Sequence, residues 1–180
     1  MNDSAVKEPT IALTLIIKDD SEAESLKRCL KSCRQYFDGL YITGTNKPDH
    51  KIRKITEKNG GIYSYFQWIK DFAAARNFNL SQVPKTFDFI FWIDADDILQ
   101  NGQLIRGIAK DAKLNNWSSV FFPYWYQVDL DEQGNVREVV IEHLRERLLI
   151  NDGTFKWVGT LHETLIEDRK EGVTKIEMPD

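Results

Sequence analysis

Three carboxylates close a run that is otherwise almost wholly apolar. Phe87-Asp88-Phe89-Ile90-Phe91-Trp92-Ile93 leads directly into Asp94-Ala95-Asp96-Asp97. Like charges packed this closely raise one another's energy, and a divalent cation is the simplest relief, because hard cations take carboxylate oxygens. Asp94 and Asp96 are two apart, so on an extended chain they project to the same side, about 6.6 Å apart at roughly 3.3 Å per residue. One can hold a metal while the other holds a ligand beside it. Asp97 has a plainer reading as the cap of a following helix. A cap accounts for Asp97 but not for Asp94 and Asp96 together.

Other side chains are weighed the same way. Arg76 lies in an alanine-rich segment, where an arginine taken alone reads as a solvated or salt-bridged surface residue. Arg145 and Arg147 carry planar forks that suit phosphate, although a charged edge strand accounts for them equally well. His162 alone reads as a satisfied structural histidine, and its neighbour Glu163 makes a functional pair the stronger reading. Cys29 and Cys33 are four apart in a helical pattern with no third cysteine to complete a metal set, so we expect reduced thiols near the core. The run Phe121 to Tyr126 reads as core on one face, with its other face free to stack on a flat ligand.

The elements that must position these residues follow from the apolar spacing. Residues 1 to 9 are polar and expected to be loose. A buried strand covers Ile11 to Ile17, and Ser21-x-x-Glu24 looks like a capping box for a helix carrying Leu26, Cys29, Leu30, Cys33 and Phe37. A strand at Leu40 to Thr43, a helix at His50 to Lys58, a strand at Ile62 to Trp68 and a short helix at Asp71 to Leu80 come next. The acidic strand and a helix from about Gly102 to Leu114 complete an alternation that predicts an open, mostly parallel α/β sheet flanked by helices. Beyond Trp117 the pattern becomes antiparallel: strands at Val120 to Asp129 and Val136 to Ile141 around a turn at Asp131 to Asn135, then short strands at Arg147 to Ile150 and Phe155 to Val158. Ligands of such sheets lie beyond the carboxyl ends of the strands, which puts Asp19, Thr43, Asp94 and Asp96 on one rim.

Composition sets the class. The chain has 180 residues, 42% hydrophobic and 29% charged, as expected for one soluble globular domain. A net charge of -4 gives no basic footprint for nucleic acid or anionic membrane. No apolar run approaches the roughly 20 residues of a membrane helix, and the N-terminus is no signal peptide, so a cytoplasmic protein is expected. The end at Met178-Pro179-Asp180 shows no helix stop, which is what a fragment of a longer protein would show. Oligomeric state is not written in the sequence.

Three motifs in order carry a resemblance. Asp71-Phe72-Ala73-Ala74-Ala75-Arg76-Asn77, Trp92-Ile93-Asp94-Ala95-Asp96-Asp97, and Arg147-Leu148 followed by Trp157-Val158-Gly159-Thr160-Leu161-His162-Glu163 resemble the family 2 inverting glycosyltransferases of the GT-A fold. The likeness is to the bacterial and phage branch with FAxARN, DAD and WxGxxHE segments, and it runs from about Ile11 to Ile166. It implies a nucleotide-diphosphate sugar donor, a UDP-sugar by default, a divalent Mn or Mg, and an acceptor that is a glycan, lipid, protein or nucleic-acid base. By matching position it implies Asp96 as metal ligand, Asp94 beside the ribose or a metal-bound water, and Arg76 near the nucleotide. His162 would complete the metal shell or touch the diphosphate, and Glu163 would be the base that deprotonates the acceptor. Arg147, by the chemistry of its fork, is a candidate for the donor phosphates. Two departures stand out: Ile42 replaces the acidic residue that the family carries just before the Thr-Gly-Ser of the second strand's end, and Asp19-Asp20 replaces Asn-Glu after the first strand. Many relatives also continue past the HE segment into a strand carrying a histidine.

Two rivals remain on sequence grounds. A sugar nucleotidyltransferase shares the carboxylate–metal logic but opens with a glycine-rich basic loop that Lys18-Asp19-Asp20-Ser21 lacks. A catalytically silent binding domain of the same fold is the other. A phosphatase reading of Asp-x-Asp fails on position, because that chemistry uses the end of the first strand.

Overall fold

In the computed structural model, described for residues 7–133 and 136–168 and for the backbone of 175–177, one sheet organises the chain. The elements are β1 (Ile11–Ile17), α1 (Ala23–Cys33), β2 (Gly39–Gly44), α2 (His50–Lys58), β3 (Ile62–Tyr65), α3 (Phe72–Ser81) and β4 (Phe89–Trp92). They continue as α4 (Ile105–Leu114), β5 (Ser119–Leu130), β6 (Val136–Ile150), β7 (Phe155–Val158), β8 (Thr164–Glu167) and β9 (Lys175–Glu177). The seven-stranded sheet has the order β3-β2-β1-β4-β6-β5-β9. Strands β3, β2, β1 and β4 run parallel, β6 runs antiparallel between β4 and β5, and β9 is parallel to β5. Strands β7 and β8 form a separate antiparallel pair.

The period of two along β1 sorts the layers. Ile11, Leu13, Leu15 and Ile17 share a core with Leu26, Cys29, Leu30 and Cys33 of α1, Ile52 of α2, and Ile105, Ala109 and Ala112 of α4. Ala12 points to the opposite face, where it joins Tyr41, Val83 and Ile90. On that face Ala73 of α3 packs with Trp92, Leu149 and Trp157, so the small sheet is fastened through its tryptophan. Both cysteines are buried and free.

Several boundaries differ from the sequence expectations. Ser21 caps nothing: Asp19 Oδ1 accepts from the Ser21 amide and caps a 3-10 turn at Asp20–Glu22, ahead of α1. Arg147 to Ile150 is not a strand of its own but the inner end of the fifteen-residue β6, whose last residues alone pair with β4. The third strand stops at Tyr65, and a 3-10 turn over Gly102–Leu104 precedes α4. The expected loose tail at 1 to 6 and the turn residues Gly134 and Asn135 lie outside the described residues.

Candidate active site

The acidic stretch leaves the sheet sooner than an extended chain would. Strand β4 ends at Trp92, and Asp94 to Asp97 form a tight turn in which the Asp97 amide donates to the Asp94 carbonyl at 3.1 Å. The Asp97 side chain closes it by accepting from the Asp94 amide at 3.1 Å. Asp97 therefore does not cap the next helix. It is an internal brace, and the strand geometry that would align Asp94 with Asp96 is replaced by a turn. Asp94 stays half-buried and Asp96 is exposed.

Helix α3 supplies the counter-charge, and its motif residues each have a task. Asp71 caps the helix by accepting from the Ala74 amide at 2.8 Å, and Ala73 and Ala75 pack inward. Asn77 clamps β7 through both its amide atoms, donating to the Trp157 carbonyl at 2.8 Å and accepting from the Trp157 amide at 2.9 Å. Between them Arg76 donates through Nη2 to Asp94 Oδ1 and through Nε to Glu163 Oε1, both at 2.7 Å. Glu163 reaches this place because the chain reverses at Gly159, whose φ of 94° is a left-handed value that disfavours a side chain.

A second arginine lies underneath. Arg147 is only 6% exposed at its side chain, stacks 4.0 Å from the Trp92 ring, pairs with Asp97 at 3.0 Å and approaches Asp94 Oδ2 at 3.5 Å. Its Nη1 is buried and forms no hydrogen bond. Burial pushes the Asp94 carboxyl up, but the guanidiniums of Arg76 and Arg147 outweigh that and hold it below the usual carboxylate range. Asp97 ends above its ordinary value because burial dominates there, with Arg147 pulling it down and Asp94 pushing it up. Tyr124, whose hydroxyl lies 3.3 Å from Asp97 Oδ1, is pushed up to about 12 by burial and then by the two aspartates.

A cavity of about 500 Å³ opens beyond the carboxyl ends of β1, β2 and β4. Arg76, Asp94 and Asp96 stand on its wall with Lys18, Glu22, Ser25, Asn46, Trp68 and Phe72. Its size falls in the range of ligand pockets, roughly 300–1,000 Å³. Of the eight expected site residues, three line this cavity, and Glu163 and Arg147 join it through the hydrogen bonds and ion pairs just given. Asp19 is spent on its cap. Thr43 is fully buried, its hydroxyl bonded to Asn79 at 2.9 Å and Ser64 at 2.7 Å. His162 is exposed, with a left-handed φ of 54°, in the turn between β7 and β8. Sequence reasoning did not single out Trp68, Phe72 or Glu22. An aromatic residue after a strand reads as core, and nothing local marks a cavity wall.

The donor set was compared with what a divalent cation needs. Among the described residues no three His, Cys, Asp or Glu side chains converge as a ready cage. Magnesium-like ions keep several waters and take one or two carboxylates plus substrate phosphates. Asp96, exposed on the cavity wall and outside the arginine network, fits that second kind of site.

No protein-family model matches the chain. A TPR repeat-containing protein of Synechococcus elongatus is 36% identical over 89 residues, 49% of this chain but only 21% of that protein. The chain thus spans about a fifth of that relative's length. Among solved structures, 4-diphosphocytidyl-2C-methyl-D-erythritol synthase from Anaerococcus prevotii is similar with a TM-score of 0.56 at 12% identity, over 94% of this chain and 89% of that one. S. aureus TarS 1-349 is similar with a TM-score of 0.51 at 12% identity, over 72% of this chain and 38% of that one. TarS has also been solved with UDP and with UDP-GlcNAc. The fold is GT-A-like. No helix among the described residues is long and apolar enough to cross a membrane.

Proposed function

We propose that this domain is a glycosyltransferase that moves a sugar from a nucleotide-diphosphate donor to an acceptor hydroxyl with inversion, assisted by Mn or Mg. The observation that carries the proposal is the cavity beyond β1, β2 and β4, with Arg76, Asp94 and Asp96 on one wall. Asp96 would hold the cation against the donor diphosphate. A cation bound there supplies Lewis-acid stabilisation of the charge that grows on the leaving diphosphate. Asp94, kept ionised and aimed by Arg76 and Arg147, orients the donor sugar or ribose beside it. Glu163 is the base: Arg76 fixes its Oε1, which leaves Oε2 to take the acceptor proton, a step typically worth about 10²–10⁴-fold. His162 is retained as a residue reaching the diphosphate, a role that requires its turn to fold over the cavity.

A nucleotidyltransferase is the second reading, favoured by the wider coverage of the synthase likeness. The segment after β1 opposes it. Lys18-Asp19-Asp20-Ser21 is acidic and bound into a 3-10 turn, with no glycine-rich loop to cradle a triphosphate. Calorimetric titration with nucleoside diphosphates, with and without Mn, tests the proposal. Metal-dependent binding of at least one, abolished in Asp96→Ala, is expected; metal-independent binding, or none, would overturn it.

A further inference from the structure

The cavity wall carries a second group of polar side chains apart from the Arg76 network. Backbone hydrogen bonds hold their three segments together: Asn46 N donates to Lys18 O at 2.7 Å, and Trp68 N donates to Thr45 O at 3.2 Å. The Lys18 amide in turn donates to Glu22 Oε2 at 2.9 Å, which holds the Glu22 carboxylate against the Lys18 backbone. Of the three acidic residues on this wall, Asp94 is held by arginines and Asp96 lies in the same acidic turn. Glu22 alone belongs to this second group. Trp68 adds an aromatic surface, its ring 4.8 Å from that of Phe72.

A carboxylate and a lysine on one cavity wall can together read the edge of a base. A carboxylate accepts only, and an ammonium donates only. Guanine offers N1–H and N2–H as adjacent donors, one for each carboxylate oxygen, with O6 and N7 next to them as acceptors for a lysine. Uracil offers one N3–H between two carbonyls, so a second carboxylate oxygen meets a lone pair. In adenine and cytosine a ring-nitrogen acceptor stands beside the exocyclic donor and repels the carboxylate. A purine also covers more of an aromatic platform than a pyrimidine.

We propose that Glu22 and Lys18 select guanine, so that the donor is a GDP-sugar in place of the uridine default. This rests on the donor-binding reading above. The test titrates the protein with GDP, UDP, CDP and ADP in the presence of Mn, and repeats GDP and UDP with Glu22→Gln and Lys18→Met. Gln keeps an oxygen for the Lys18 amide but replaces the other oxygen by a donor. GDP is expected to bind at least about fivefold tighter than UDP, the lower end for a bidentate base contact. Glu22→Gln should erase most of that ratio, weakening GDP and strengthening UDP, whose carbonyl meets the new amide donor, with the thermal midpoint unchanged. UDP binding as tightly as GDP, or both nucleotides weakening equally in Glu22→Gln, would overturn the guanine assignment while the donor reading stands. Failure of all four nucleotides to bind would overturn the donor reading, and this assignment with it.

Discussion

Arg76 Nη2 lies 2.7 Å from Asp94 Oδ1, and that single contact joins the alanine-rich helix to the acidic turn at the end of β4. The same guanidinium holds Glu163, 87 residues further along the chain. Both carboxylates of the candidate chemistry are thus referred to one cation, stacked 5.0 Å from each of Trp92 and Trp157.

Removing that cation leaves two carboxylates facing each other. Arg76→Ala should cost about 3 kcal/mol, the lower end for breaking a buried pair, since Asp94 is 31% exposed and partly recovers solvation. Arg76→Lys keeps the charge and loses the fork, so it should cost less. Urea unfolding midpoints of the two variants check the order; equal effects would contradict the forked arrangement.

The Asn77 clamp gives a local prediction. Asn77→Ala strips partners from the Trp157 amide and carbonyl, at about 1–3 kcal/mol for an unsatisfied buried group. Amide exchange at Trp157 should speed up far more than exchange in β1. Unchanged protection at Trp157 would show that the small sheet is held by something else.

Acid stability depends on a different carboxylate. Burial raises Asp49, but hydrogen bonds from Lys47 and Tyr63 outweigh it, and its pKa falls from 3.8 to about 2. A depressed folded value means the stabilisation is present above the unfolded pKa and lost as pH falls through the folded one. That depression corresponds to stabilisation on the order of 2 kcal/mol, lost between roughly pH 4 and pH 2. Asp94, also depressed, adds a loss of the same sign. Asp49→Asn should flatten the stability–pH curve over that window, and an unflattened curve would contradict the pairing.

Gly159 tests how Glu163 is delivered. An added Cβ would meet nothing closer than 3.6 Å, so Gly159→Ala strains the backbone at φ 94° without a clash. A cost of about 1–3 kcal/mol follows from holding a non-glycine residue there. Thermal unfolding measures it, and no loss would show that the turn relaxes freely.

The sequence pattern specified the layers well, for physical reasons. β1 and α2 have the expected bounds because one is apolar at every position but Thr14 and the other ends at Asn59-Gly60. The mostly parallel sheet flanked by helices followed from the alternation of strands and helices. The inner end of β6 was read as a strand apart because its outer half is exposed and polar, which hides a fifteen-residue ladder. Asp97 looked like a cap because local spacing cannot show that Arg147, 50 residues away, would claim it. Thr43 stood on the expected rim by position along β2, yet its side chain faces α3, where Asn79 takes it.

The most direct measurement is manganese anomalous scattering from crystals soaked with Mn and a nucleoside diphosphate. One peak is expected on the Asp96 carboxylate, at about the 2.1 Å of a hard divalent cation, bridging to the diphosphate. A peak elsewhere, or a nucleotide bound with Asp96 turned to bulk solvent and no metal beside it, would contradict the account.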